Sequence, residues 1–318
     1  MPNQPLCEPV MVVEIGGTKL QWGWTLDGGR SVQDLDRATV NRADGAQGIL
    51  TRLGEELPAL MAERSAAAIG IGFGGPVDPR TGRTITSHQV SGWEDFPLAA
   101  WCTERLGVPC TVLNDCNAAA LAEARCGAGQ GMRRVFYVTV GTGIGGGWVV
   151  DGELDGADRM AVAEIGHLRP GVAATGSHDT VESWASGLGM ETRAQRLSMP
   201  IGSTHAVAPW RTVERLSADA RSGDAVAQRV WREANEVLGW AIAQVITLLA
   251  PDIVVVGGGV AQAGDDLFWD PLRREVARYV FPPLADSYQL APAHLGANVV
   301  LHGAGVAAHR ALEASRHH

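Results

Sequence analysis

The 318-residue chain almost lacks lysine: of its 26 basic residues only Lys19 is lysine, and the other 25 are arginine. A Walker A loop is thereby excluded, because it needs Gly-Lys followed by Ser or Thr, and the residue before Lys19 is Thr18. Cysteine is scarce as well. The five present, Cys7, Cys102, Cys110, Cys116 and Cys126, are odd in number and form no CxxC or CxC pair, which excludes a disulfide framework and a zinc knuckle. They read as reduced thiols packed as small apolar residues, and a cytoplasmic location is expected. No run of 18 apolar residues exists. The longest stretch, Val237 to Ala250, is too short and holds Gln244, so no membrane partner is expected. No basic residue precedes Lys19, which argues against a secretory leader. A formal charge of -9 without basic clusters argues against a nucleic-acid partner.

What is present is a soluble α/β composition, 46% hydrophobic and 19% charged. Val10 to Ile15 reads as an apolar strand ending in Gly16-Gly17-Thr18, and Leu20 to Leu26 as its return strand. Ile49, Leu50, Leu53, Leu57, Leu60 and Met61 recur at helical spacing. Ala68 to Phe73 is a buried-type strand closed by Gly74-Gly75-Pro76, and a short helix over 98–106 leads to a strand over 110–113. Asn114-Asp115 then precedes an alanine-rich helix over 117–125. A second series has a strand at 135–140, a glycine turn at 141–147 and a return strand at 148–150. It continues with a long helix from Trp231 to Leu249 stopped by Pro251, a strand at 253–256 running into Gly257-Gly258-Gly259, and a final helix at 306–314. The strand–glycine turn–strand unit occurs twice, over 12–24 and 138–150. Two related α/β domains around a cleft are expected: 1–115, completed by the terminal helix in 306–318, and 116–305.

Glycine lets a backbone approach a ligand and turn its N–H groups inward, which suits phosphates. Taken singly, each glycine turn is equally a tight hairpin. Gly141, Gly143 and Gly146 satisfy GxGxxG, but a dinucleotide fingerprint needs a helix after it, and Trp148-Val149-Val150 reads as a strand. Asp115, after a strand and at a helix start, is a helix cap by the plainest reading. Its company changes the reading. Asn114, Glu164, His167 and Glu182 supply directional donors and acceptors of the kind sugar hydroxyls need, and a carboxylate able to take one proton.

Five ordered motifs carry a resemblance: Glu14-Ile15-Gly16-Gly17-Thr18-Lys19, Gly72-Phe73-Gly74-Gly75-Pro76-Val77, Asn114-Asp115-Cys116-Asn117-Ala118-Ala119, the run Gly141 to Gly147, and Glu164-Ile165-Gly166-His167. Together they resemble the ROK family (repressor, open reading frame, kinase) of bacterial sugar kinases. The resemblance implies an actin-like, hexokinase-type fold that binds ATP, magnesium and a sugar, and a homodimer. It also implies Asp115 as the general base, an ordinary carboxylate ionised at pH 7. Gly74, Gln89, Asn114, Glu164, His167 and Glu182 are implied on the sugar. Gly16, Gly17, Thr18, Lys19, Gly141, Thr142, Gly143, Gly257 and Gly258 are implied on ATP.

Three departures bear on these roles. The first motif begins with Glu14 where the family usually has Asp, which shifts its place near magnesium. Pro170 to Val181 contains no cysteine where the family usually carries a zinc-binding cluster, so no zinc is expected. Gln89, ahead of Val90-Ser91-Gly92-Trp93, stands where many members have Asn. An acceptor related to glucose but modified, such as kanosamine or a C7 cyclitol, is therefore expected alongside glucose. A repressor role is set aside, because the first strand begins by about Val10 with no room for a helix-turn-helix ahead of it. A non-catalytic sugar sensor is the alternative, although it needs neither a base nor a phosphate cradle.

Overall fold

The structure is a computed structural model that describes residues 8–87, 89–156, 158–171, 179–199 and 211–316. In chain order the first half holds β1 (Val10–Ile15), β2 (Lys19–Thr25), β3 (Gln33–Thr39), α1 (Gly45–Arg64), β4 (Ala68–Phe73), β5 (Val77–Asp78), β6 (Arg83–Thr84), α2 (Leu98–Leu106), β7 (Cys110–Asn114) and α3 (Asp115–Cys126). Then come β8 (Arg134–Val140), β9 (Ile144–Val150), β10 (Glu153–Leu154), α4 (Val181–Ala185), α5 (Gly187–Ser198), α6 (Val213–Arg221), α7 (Ala225–Leu249), β11 (Ile253–Gly257), α8 (Asp270–Tyr279), β12 (Gln289–Pro292) and α9 (Val299–Arg316). Two five-stranded sheets run in the orders β3-β2-β1-β4-β7 and β10-β9-β8-β11-β12, and β5 pairs with β6. The chain divides into two compact units, one of Met1–Arg133, Gly147–Val162 and His294–His318, the other of Arg134–Gly146 and Ala163–Ala293.

In the first unit, β2 and β3 are antiparallel to β1, whereas β4 and β7 run parallel to it. The two-residue period of a strand sorts β1 into two faces. Met11, Val13 and Ile15 pack with Ile49, Leu53 and Leu57 of α1 and Leu98 of α2, while Val10 and Val12 pack with Leu301, Ala304 and Ala308 of α9. Glu14 is the next residue on the α9 side. Close approach of α9 depends on missing side chains: a Cβ at Gly70 would strike the Ala304 carbonyl, and one at Gly303 would land on that of Ala118 in α3.

In the second unit, β8 and β12 run parallel to β11 on either side of it. The helix α7 buries Val230, Trp231, Ala234, Leu238, Ile242 and Ile246. Asp224 caps it by accepting from Ala227 N at 2.8 Å, and Ala250 turns left-handed ahead of Pro251 to end it.

Several elements differ from the sequence reading. Gly145, Gly146 and Gly147 lie inside β9, so the glycine turn is only 141–143. Neighbours crowd two of them: a Cβ at Gly146 would sit 2.4 Å from the Ala163 carbonyl oxygen, and one at Gly147 2.5 Å from Ala120 Cβ and 2.8 Å from the Cys116 carbonyl oxygen. Gly257 ends β11 and is not in the turn, and α9 starts seven residues before the expected Val306.

Gly303→Ala separates packing from propensity. Alanine favours a helix interior by about 1 kcal/mol, but the added Cβ meets the Ala118 carbonyl. A net loss of about 1–2 kcal/mol is expected by denaturant unfolding, and an unchanged or raised midpoint would refute this account of the α3–α9 contact.

Candidate active site

The first unit gathers four of the singled-out segments. Asn114, the last residue of β7, aligns with Phe73 of β4 and caps α3, its Oδ1 accepting from Cys116 N at 3.0 Å and Asn117 N at 3.1 Å. Its Nδ2 donates to the Gly75 carbonyl at 3.0 Å and to Asp115 Oδ1 at 3.1 Å. Asp115 Oδ1 also accepts from its neighbour's backbone, Cys116 N, at 2.8 Å. The second oxygen, Oδ2, faces Gly74, whose Cβ would stand only 3.7 Å from it and 3.3 Å from the Ile15 carbonyl. The glycine thus keeps the space before Asp115 open.

Asp115 is not the ordinary carboxylate expected. Desolvation pushes its pKa up to about 6, hydrogen bonds from the Cys116 thiol and backbone oppose the rise, and the Glu14 charge adds to it. Glu14 is itself held, its Oε1 3.0 Å from Lys19 Nζ and its Oε2 accepting from Gln21 Nε2 at 2.6 Å. The turn that follows is tied back by Gly16 N to the Lys19 carbonyl at 2.9 Å, and by Arg42 Nε to the Gly17 carbonyl at 3.0 Å. Thr18 is exposed at its tip. Gln89 lies over Gly17, where a Cβ would overlap its carboxamide.

The second unit gathers the rest. The turn at 141–143 closes through Gly141 N to the Gly143 carbonyl at 2.9 Å, and the start of α5 docks on it, Gly187 N donating to the Gly141 carbonyl at 2.7 Å. Glu182, expected on the sugar, accepts from Ile144 N at 2.8 Å, and a Cβ on Gly143 would sit 2.6 Å from the same oxygen. Glu164 and His167 are exposed and face each other, Oε2 to Nδ1 at 3.5 Å. Gly166 between them is required because a Cβ would strike the Ile144 carbonyl. Gly258 has φ +94°, and a Cβ there would overlap the Val140 carbonyl.

A cavity of about 340 Å³ is lined by Gly141, Thr142, Gly187, Leu188, Glu191, Val213, Glu214, Gly259 and Val260. A Cβ on Gly141 or Gly259 would meet nothing within 4 Å, so the backbone there faces open space. Leu188, Glu191, Val213 and Glu214 were not singled out from the sequence. Gly259 belongs to the run Gly257-Gly258-Gly259 and Gly187 closes the stretch that begins at Val181 with Glu182, but Glu191 and Glu214 carry no local signal and arrive only with α5 and α6. A Cβ on Gly257 would lie 2.6 Å from the Tyr137 hydroxyl. Among the described residues no group of three or more His, Cys, Asp or Glu is arranged to hold a metal, and residues 172–178, where the family's cysteine cluster would begin, lie outside them. No helix among the described residues is long and apolar enough to cross a membrane.

The model of the ROK family matches residues 10–311. The chain belongs to the ROK family. It is 33% identical over 315 residues to a glucokinase of Halalkalibacterium halodurans, covering 92% of each chain. The ROK hexokinase of Thermus thermophilus superposes with a TM-score of 0.81 at 30% identity, over 96% of this chain and 99% of that one. A ROK-family glucokinase of Streptomyces griseus, solved with glucose and AMPPNP, superposes with a TM-score of 0.77 at 29% identity, over 95% and 99%. The fold is thus the actin-like α/β fold of ROK sugar kinases.

The raised Asp115 has a stability signature. Its folded pKa of about 6 exceeds the unfolded 3.8, so the folded state holds the proton more tightly, and stability is lost as pH rises between these values. Asp115→Asn keeps an acceptor for Cys116 N and removes the charge. The variant is expected to be more stable than the wild type by about 1–2 kcal/mol at pH 7.5, a figure discounted for the side chain's partial exposure, with the gap closing by about pH 4. Thermal melts across that range check this, and an advantage independent of pH would contradict it.

Proposed function

We propose that this ROK-family sugar kinase transfers the γ-phosphoryl group of ATP to the exocyclic primary hydroxyl of glucose, or of a glucose-like modified ring such as kanosamine or a C7 cyclitol, with Asp115 as general base. The observation that carries the reading is the Asp115 carboxylate, desolvated to a pKa of about 6 and facing the space that Gly74 leaves open. A base with that pKa is about 90% ionised at pH 7, yet it binds a proton more readily than an ordinary carboxylate. Phosphoryl transfer is largely dissociative, so the hydroxyl proton is needed late, and positioning matters more than base strength. Asn114 fixes the carboxylate through Oδ1, leaving Oδ2 toward the acceptor.

Glu164, His167 and Glu182 are proposed to contact ring hydroxyls, the first two from an exposed pair and the third while holding Ile144 N. Gln89 is proposed to reach the acceptor from above Gly17. Gly141, Thr142 and Gly143 are proposed to hold ATP phosphates, with Gly258 toward the adenosine. The fit is supported by the open backbone at Gly141 and Gly259 and by a cavity of ligand size. Gly16, Gly17, Thr18 and Lys19 form the other proposed phosphate turn. Glu14 would fit a place near magnesium, since its bonds to Lys19 and Gln21 leave carboxylate lone pairs free to accept from a hydrated ion. Magnesium supplies charge neutralisation on the phosphate oxygens.

ATP consumption with magnesium is to be measured against glucose, mannose, N-acetylglucosamine, N-acetylmannosamine, kanosamine, glucosamine and a valiolone-type cyclitol. Turnover with a glucose-like ring is expected, falling about 10²–10⁴-fold in Asp115→Asn. Sugar binding without turnover would replace the kinase reading with a sensor. Gly141→Val tests the nucleotide end separately. Its side chain enters open space, so the melting temperature should hold while AMPPNP affinity falls at least about tenfold; unchanged affinity would move the nucleotide elsewhere.

A further inference from the structure

Gln21 sits in the middle of β2 with no exposed surface, and its Oε1 has no hydrogen-bond partner among the described residues. An apolar side chain would be cheaper at such a place, since an orphaned buried acceptor costs about 1–3 kcal/mol. The carboxamide makes one charge-assisted bond, Nε2 to Glu14 Oε2 at 2.6 Å, between residues that are direct partners in the β1–β2 register. The other Glu14 oxygen lies 3.0 Å from Lys19 Nζ. The two holders differ in exposure: Gln21 is sealed in the sheet, whereas the Lys19 side chain is 37% exposed and also reaches the Ala297 carbonyl at 3.3 Å.

We propose that Gln21 is a positioning residue that locks the Glu14 carboxylate from the buried side. Glu14 has one more rotatable bond than the Asp usual at this position, and each added torsion must be restrained if the carboxylate is to keep one orientation. With Oε2 held by Gln21, Lys19 is released to a nucleotide phosphate without Glu14 moving. The inference rests on the reading of 16–19 as a phosphate turn.

Lys19 is the chain's single lysine, so an amine-reactive reagent followed by peptide mass spectrometry reports on it alone among side chains. Gln21→Leu and the closer-shaped Gln21→Met are compared with wild type, without nucleotide and with Mg-AMPPNP. Expected in the variants are a melting temperature near wild type, because relief of the orphaned Gln21 Oε1 offsets the Glu14 Oε2 left without its donor, Lys19 labelling several-fold faster without nucleotide, and Mg-AMPPNP affinity lower by about tenfold. In a Glu14→Gln background, Gln21→Leu should cause no further loss of affinity. Labelling and affinity within twofold of wild type in both variants would overturn the proposal, as would additive losses in the double variant. Absence of sugar phosphorylation by the wild type would defeat the kinase reading alone, because the labelling rate without nucleotide still decides whether Gln21 holds Glu14.

Discussion

Asn114 spends its whole side chain on its neighbours, and the geometry of the first unit's site depends on that expenditure. The residue ends β7 in register with Phe73, so its backbone is set by the sheet. Its Oδ1 accepts from two of the first N–H groups of α3, Asn117 N and the Cys116 N it shares with Asp115 Oδ1, and its Nδ2 ties the Gly75 carbonyl and Asp115 Oδ1 together. One amide therefore joins the end of β4, the end of β7 and the start of α3. Aspartate in its place would cap the helix equally well, but it has no donor for Gly75 and would put a second charge against Asp115.

The electrostatics of Asp115 are a contest that magnitudes decide. A helix N-terminus favours a carboxylate by about 0.3–1 kcal/mol, and the bonds from Cys116 work in the same direction. Against them stand desolvation and the nearby Glu14 charge, and the outcome is a rise from 3.8 to about 6, a net bias of roughly 3 kcal/mol toward the protonated form before allowance for solvent. A capping aspartate with no other role would be drawn below its usual range, as Asp224 is at the start of α7 by its bond from Ala227 N. The contrast between two helix-start aspartates in one chain shows that at Asp115 desolvation outweighs what a helix start alone would do.

Where an element's signal is local, the sequence was legible. Val10–Ile15 and Ala68–Phe73 are apolar runs with glycine stops, and both are strands with those bounds. β3, with the sequence Gln33-Asp34-Leu35-Asp36-Arg37-Ala38-Thr39, is an exposed edge strand whose polar residues carry no inward face to read. The run 145–147 misled because glycine signals turns as a rule, whereas at Gly146 it marks crowding by the Ala163 carbonyl and at Gly147 by Cys116 and Ala120 in α3. The motif residues were found, but their partners were not: that Glu182 holds Ile144 N and that Gln89 covers Gly17 are consequences of packing at long sequence separation. Gln21 was invisible because a glutamine in a strand reads as solvent-facing until its burial is known.

The two strand–turn–strand devices share a shape but differ in charge, which divides their work. The turn at 16–18 is flanked by Lys19 and Arg42, so cationic side chains stand beside its backbone. Among the described residues the cavity beside the turn at 141–143 has no basic lining residue, and its charged groups are Glu191 and Glu214. Carboxylates repel phosphate and accept bonds from hydroxyl or amino hydrogens. Glu191 already accepts from Val213 N at 3.1 Å, which fixes it at the α6 end of the cavity. On the proposed function, the cavity would therefore sort a nucleotide along its length, its ribose and base toward the carboxylates and its phosphates toward the glycine backbone.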